Sequence, residues 1–180
     1  SEIGRIAGVS ATDWSWSPLF ADFDNDGLKD LMITNGYARD ITNRDFVNYR
    51  MQEWIQKNRT TGKDLYEALQ QIDGILLPVF AFQNNGNLKF NSVNSSWGIE
   101  EAAYSSGAAY ADLDNDGDLD FITNNINRPA FIYKNKSEKN IGNHYMTIRL
   151  KGPSGNSNGF GSKVYVYANS SVQFLEAAPV

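Results

Sequence analysis

Cysteine is absent from this 180-residue chain, and histidine occurs once, at His144. Without a thiol there is no disulfide framework, no zinc–thiolate site and no cysteine nucleophile. That absence does not place the chain in a reducing compartment. One imidazole leaves Ser-His-Asp chemistry a single base, and no G-x-S-x-G elbow accompanies it. His144, at the head of an alternating apolar segment, reads as a surface residue. No apolar run approaches the roughly 20 residues of a membrane span, and no signal peptide is visible. The chain opens on Ser1 and stops in a strand-like segment, so it reads as an excerpt from a longer protein. Positive charge is scarce, 16 Lys and Arg against 21 Asp and Glu. No basic stripe exists to neutralise phosphates, which speaks against nucleic acid.

What is present suits a globular chain: 41% apolar and 21% charged residues exclude a disordered tail. Length allows one sizeable core, or one core plus part of a second domain. Frequent aromatics, Gly and Asn fit short strands joined by tight turns. The acidity is concentrated: nine of the 21 acidic residues fall within Asp22–Asp30 and Asp112–Asp120. The formal charge is −5, and two divalent cations held there would bring it to about −1.

A repeat organises the chain. Moved along by 90 positions, residues 1–35 lie on 91–125 without a gap. Gly8 meets Gly98, Ser15 meets Ser105, and Ala21-Asp22 meets Ala111-Asp112. Asp24, Asn25, Asp26, Gly27 and Asp30 meet Asp114, Asn115, Asp116, Gly117 and Asp120. Each unit predicts strand, acidic loop, strand, with Leu19–Ala21 and Ala109–Ala111 entering and Leu31–Ile33 and Leu119–Ile122 leaving. Further strands are expected at Pro78–Gln83, Lys89–Val93 and Ala130–Lys134, the first two joined around Asn85-Gly86. Small sheets with a loop at a fixed place suggest propeller blades.

Residues 42–72 change period. Val47, Met51, Trp54 and Ile55 share one helical face, with Thr42 and Asp45 as a capping pair. After a separator at Asn58–Lys63, Leu65, Ala68, Leu69 and Ile72 form the face of a second helix. These stripes read as packing surface in an inserted helical hairpin. Beyond Glu138, Met146, Ile148 and Leu150 alternate with polar residues as a half-buried strand, and Val164 and Val166 mark another. The expected organisation is a partial blade at 1–41, a helical insertion at 42–76, a second blade at 77–138 and the start of a β module at 139–180. The fold class is mainly β, a fragment of a β-propeller.

The loops carry the chemistry. Asp22, Asp24 and Asp26 alternate, Gly27 allows a sharp turn and Asp30 closes the set; Asp112, Asp114, Asp116, Gly117 and Asp120 do the same. Calcium takes about six to eight hard oxygen ligands at about 2.3–2.6 Å. Carboxylates at the first, third, fifth and ninth loop positions supply four. The backbone carbonyl of the seventh, Leu28 or Asp118, supplies another, and the unlike side chains there suit a backbone role. An EF-hand would need a bidentate Glu at the twelfth position, where Ile33 and Thr123 stand. Magnesium keeps its waters and rarely uses such a cage. A plain Asp/Asn/Gly turn would not need four carboxylates in nine residues. Two Ca²⁺ sites of structural type are therefore expected, without the open position that metal-assisted hydrolysis requires.

The D-x-D-x-D-G-x-x-D loops resemble the FG-GAP repeat of integrin-type propellers and of bacterial proteins with VCBS-like repeats. In that family the loop binds calcium between two blade strands. Ser106-Gly107-Ala108-Ala109 is similar to the family's GAP segment, whereas the first unit departs from it with Ser17-Pro18-Leu19. Residues 143–166, with His144–Leu150 and Asn158–Val164, resemble the opening of the ASPIC/UnbV domain of the cartilage acidic protein family and its bacterial relatives. The resemblance implies an exported or cell-surface protein.

Three function classes follow. The favoured one is a non-enzymatic calcium-binding scaffold, outside the cytoplasm, that binds or adheres to a protein or carbohydrate ligand. Trp14, Trp16, Trp54 and Tyr66 are its candidate contacts, with core packing the plainer role for each. The alternative is a propeller-type hydrolase or lyase acting on polysaccharide, its catalytic site outside this excerpt. Nucleic-acid binding is disfavoured by charge. Acceptor sequences for N-glycosylation at Asn58, Asn94, Asn135 and Asn169 matter only in a eukaryotic source.

Overall fold

A computed structural model describes residues 2–177 apart from 41, 43, 57–61, 71, 140, 141, 169 and 170. The chain is mainly β: nine strands among the described residues form three antiparallel sheets. The first sheet runs β1 (Ser15–Ala21), β2 (Asp30–Asn35), β3 (Phe80–Asn84) and β4 (Phe90–Ser92), in that spatial order. The second runs β5 (Ser105–Ala111), β6 (Asp120–Asn125) and β7 (Phe131–Tyr133). A hairpin of β8 (Lys163–Ala168) and β9 (Ser171–Glu176) makes the third. A closed ring of blades is not part of the described fold.

Burial explains the strand order. Every residue of β2 is buried, so it sits centrally, and Leu31, Met32 and Ile33 pair with Phe82, Ala81 and Phe80 of β3. Pro18 has no N–H to give a ladder and lies on β1, at the sheet edge, where that loss is tolerated. The register shifts between Ser15 and Pro18, and between Ser105 and Gly107 in β5. Both shifts fall on the strand that enters an acidic loop. Met32, Val79 and Ala81 from the first sheet's side pack with Phe121 of the second in one core, with Phe23 and Ile99. Phe23 meets Phe121 edge to face at 6.1 Å, so a loop residue joins the sheets.

Four helices complete the described structure: α1 (Gly4–Ala7), α2 (Arg44–Gln56), α3 (Gly62–Gln70) and α4 (Asn94–Trp97). The expected helical hairpin corresponds to α2 and α3. Side chains of Val47, Trp54, Leu65, Ala68 and Leu69 lie outside the described residues, as does most of the Asn58–Lys63 separator. Met51 and Ile55 are exposed, so the expected stripe on α2 is not covered there. Ile72 is buried. The Thr42 hydroxyl donates to Asp40 Oδ1 at 2.6 Å, back toward the preceding turn rather than forward into the helix.

Two expectations need correction. Residues 145–151 form no strand, and Met146 and Ile148 are exposed. Alternation makes a strand only where a second strand takes its backbone hydrogen bonds, and none lies beside this segment; the hairpin partner of β8 is β9 instead. Trp14 and Trp16 are not core residues, being 46% and 47% exposed, and Tyr66 is exposed as well.

Candidate metal centre

Each acidic loop spans the turn between two paired strands, Asp22–Lys29 between β1 and β2 and Asp112–Leu119 between β5 and β6. Their backbones match: φ is 58° at Asn25 and 92° at Gly27, 61° at Asn115 and 93° at Gly117. Asparagine tolerates the left-handed values near 60°, and glycine is the residue that readily takes those above 90°. The first carboxylate of each loop holds that turn. Asp22 accepts from the N–H groups of Asp26 (3.1 Å) and Gly27 (2.9 Å), and Asp112 from those of Asp116 and Gly117, both at 3.2 Å.

The ninth-position carboxylates act as struts. Asp30 accepts from Phe23 N–H at 3.0 Å and, across the sheet, from Asn84 N–H at 2.9 Å. Asp120 accepts from Leu113 N–H at 3.1 Å and Asn135 N–H at 2.9 Å. Each thereby ties its loop to the third strand. Asn84 and Asn135 return the contact, donating to the carbonyls of Lys29 (2.9 Å) and Leu119 (3.1 Å).

Of the ten expected ligand residues, the structure gathers carboxylate oxygens of Asp22, Asp24 and Asp30 within 4.8 Å of one another, and likewise those of Asp112, Asp114 and Asp116. Asp26 is outside the first triad; its Oδ1 accepts from Leu28 N–H at 2.7 Å. Asp120 is outside the second, its oxygens turned to the two N–H donors. Leu28 lies between Asp24 and Asp30 in the first turn, and Asp118 follows Asp116 in the second. Oxygens sharing one hard cation stand at most about 5 Å apart, so either triad could hold a metal ion.

The electrostatics are those of crowded, half-dry carboxylates. Burial is the main cause that pushes Asp30 up to about 7, and the charges of Asp24 and Asp26 add to it against the two N–H donors. Asp22 and Asp26 are also raised, chiefly by burial and then by neighbouring carboxylates. A bound cation would reverse that preference by favouring the ionised forms. Sequence reasoning missed two residues that reach the triads, one on the third strand of the first sheet and one just past the third strand of the second. Gln83 Nε2 donates to Asp24 Oδ2 at 2.6 Å, and Lys134 Nζ pairs with Asp114 and lies 3.3 Å from Asp116 Oδ2. Those hydrogen bonds raise the Lys134 pKa. The residues next to them, Asn84 and Asn135, stand 54 and 15 positions after the ninth Asp, so a gapless repeat cannot align them.

The loops also meet the segment that follows the second sheet. Asn25 Nδ2 donates to Ser137 Oγ at 3.3 Å, Asn135 Nδ2 to the Phe23 carbonyl at 2.6 Å, and Asn143 Nδ2 to the Asp24 carbonyl at 2.8 Å. A Cβ added to Gly117 would fall 1.9 Å from the Tyr145 ring. His144 is exposed and has no place in either triad.

No protein-family model matches the chain, and no curated protein matches it. Among the described residues, no helix is long and apolar enough to cross a membrane.

Proposed function

We propose that the chain is a non-enzymatic calcium-binding repeat module of the FG-GAP kind, part of an extracellular or cell-surface β-propeller that binds a protein or carbohydrate ligand. The observation that carries this is the pair of carboxylate triads, each built on the same backbone turn and braced by a ninth-position Asp to a third strand. A divalent ion there would neutralise the loop and fix the angle between two strands. Asp22, Asp24 and Asp30 would hold it in the first loop, Asp112, Asp114 and Asp116 in the second. The exposed rings of Trp14 and Trp16, 6.1 Å apart, with the half-buried Tyr37 ring 5.6 Å from Trp14, offer a stacking surface for a sugar ligand.

Thermal melts in EDTA, in millimolar calcium and in magnesium test the reading. Loops of extracellular modules bind calcium with Kd of about 10⁻⁴–10⁻³ M, so ~10 mM stabilises by about 1–3 kcal/mol per site. A calcium-selective rise, lost in an Asp24→Ala/Asp114→Ala double variant, supports it. No rise, or an equal one with magnesium, overturns it.

A further inference from the structure

We infer that the second loop holds a further hard divalent cation, on Asp116, Asp118 and Glu138, beside the ion of its Asp112–Asp114–Asp116 triad. This goes beyond the two-loop reading and rests on it only in sharing Asp116. Carboxylate oxygens of Asp116, Asp118 and Glu138 lie within 4.8 Å of one another, inside the span of one calcium shell.

The second observation is the state of Asp118. Its side chain is 1% exposed, and Oδ2 accepts from Ser137 Oγ at 3.2 Å and Glu138 N–H at 3.1 Å. Those bonds cap the short turn Ser137–Lys139 and account for one oxygen. Oδ1 is buried with no hydrogen-bond partner. An ionised carboxylate left half-satisfied in the interior is costly unless a cation meets it. Among the described residues no lysine pairs with Asp118 or Glu138; Lys134 pairs with Asp114 and Asp116 instead.

The first loop shows what the calcium turn needs by itself. Leu28 stands where Asp118 does, partly exposed, so a seventh-position carboxylate is not required to form the loop. Asp118 is therefore surplus to the turn, and Glu138, brought against it by the Ser137–Lys139 turn, completes a separate oxygen set. Asp116 is common to both oxygen sets.

Equilibrium dialysis of the whole chain against calcium chloride, carried to saturation with bound calcium counted by atomic emission, tests this. Three ions per chain are expected. Asp118→Leu, which copies Leu28 and keeps the backbone carbonyl, and Glu138→Gln, a change at an exposed position, should each bind two. Their double variant should also bind two, because both serve one site. Two ions in the wild type that both variants retain, or three in both variants, would overturn the additional site and leave the loops standing. A single ion, lost from both variants, would keep this site and overturn the loops; no bound ion would overturn both.

Discussion

Stripped of divalent ions, the chain should grow more stable as the pH falls from about 7 to about 4, the reverse of ordinary acid unfolding. Asp30 is the main reason, since burial raises it from 3.8 to about 7 in the folded chain. Across that window the folded state keeps a proton that the unfolded state has released, so stability drops as pH rises and levels off above about 7. At about 1.4 kcal/mol per pH unit the gap is worth at most about 4 kcal/mol. Relaxation around a buried charge reduces such values, and about 2 kcal/mol is a fair expectation. For a chain of this size that is about 4–8 °C in Tm. Asp22 and Asp26, raised in the same direction, add to the slope. Melts after dialysis against chelating resin, from pH 5 to 8, measure it. Asp30→Asn should remove most of the slope whatever it does to absolute stability. In saturating calcium the slope should vanish across this range, because the cation holds the carboxylates ionised in the folded chain as they are in the unfolded one. A metal-free Tm that stays flat or climbs between pH 5 and 7.5, or an Asp30→Asn slope equal to wild type, would refute the reasoning.

Gly117→Ala should cost about 1–3 kcal/mol, read from thermal melts, because φ is 93° there and the new Cβ meets the Tyr145 ring. Adding Tyr145→Ala should recover the part due to the clash and leave the part due to φ. Phe121→Ala should cost about 3–5 kcal/mol in urea unfolding, since Phe121 is buried between Phe23 and Tyr133 where the sheets meet. Asn94→Ala should cost about 1–3 kcal/mol in the same assay. Its amide accepts from Ala81 N–H at 3.0 Å and donates to the carbonyls of Val79 and Ile99, which nothing else would replace.

The strands around the loops were legible because their signal is local. Apolar triplets such as Leu31–Ile33 flank an acidic turn, and a second copy of the pattern lies 90 positions on. The carboxylate clusters of the loops were legible for the same reason, down to the alternation of Asp22 and Asp24. Whether the fifth or the ninth carboxylate completes a triad was not, because Asp30 and Asp120 take equivalent N–H bonds and yet only Asp30 joins its triad. Gln83 and Lys134 were hidden by the unequal spacing to the third strand. The segment 145–151 misled because alternation records a two-faced environment, not a strand partner. Asp118 was assigned only a backbone role, since its burial follows from the turn at Ser137–Lys139, twenty residues away.

The struts at Asp30 and Asp120 also set an order of assembly. Each loop is complete only when its third strand arrives to donate the Asn84 or Asn135 N–H, 54 residues after Asp30 but 15 after Asp120. Closing the longer segment costs about 1 kcal/mol more chain entropy, and distant contacts form late. The second loop is thus closed at the lower entropic cost. The helices α2 and α3, lying within the longer segment, act on the rate at which the first loop closes more than on how firmly it stays closed.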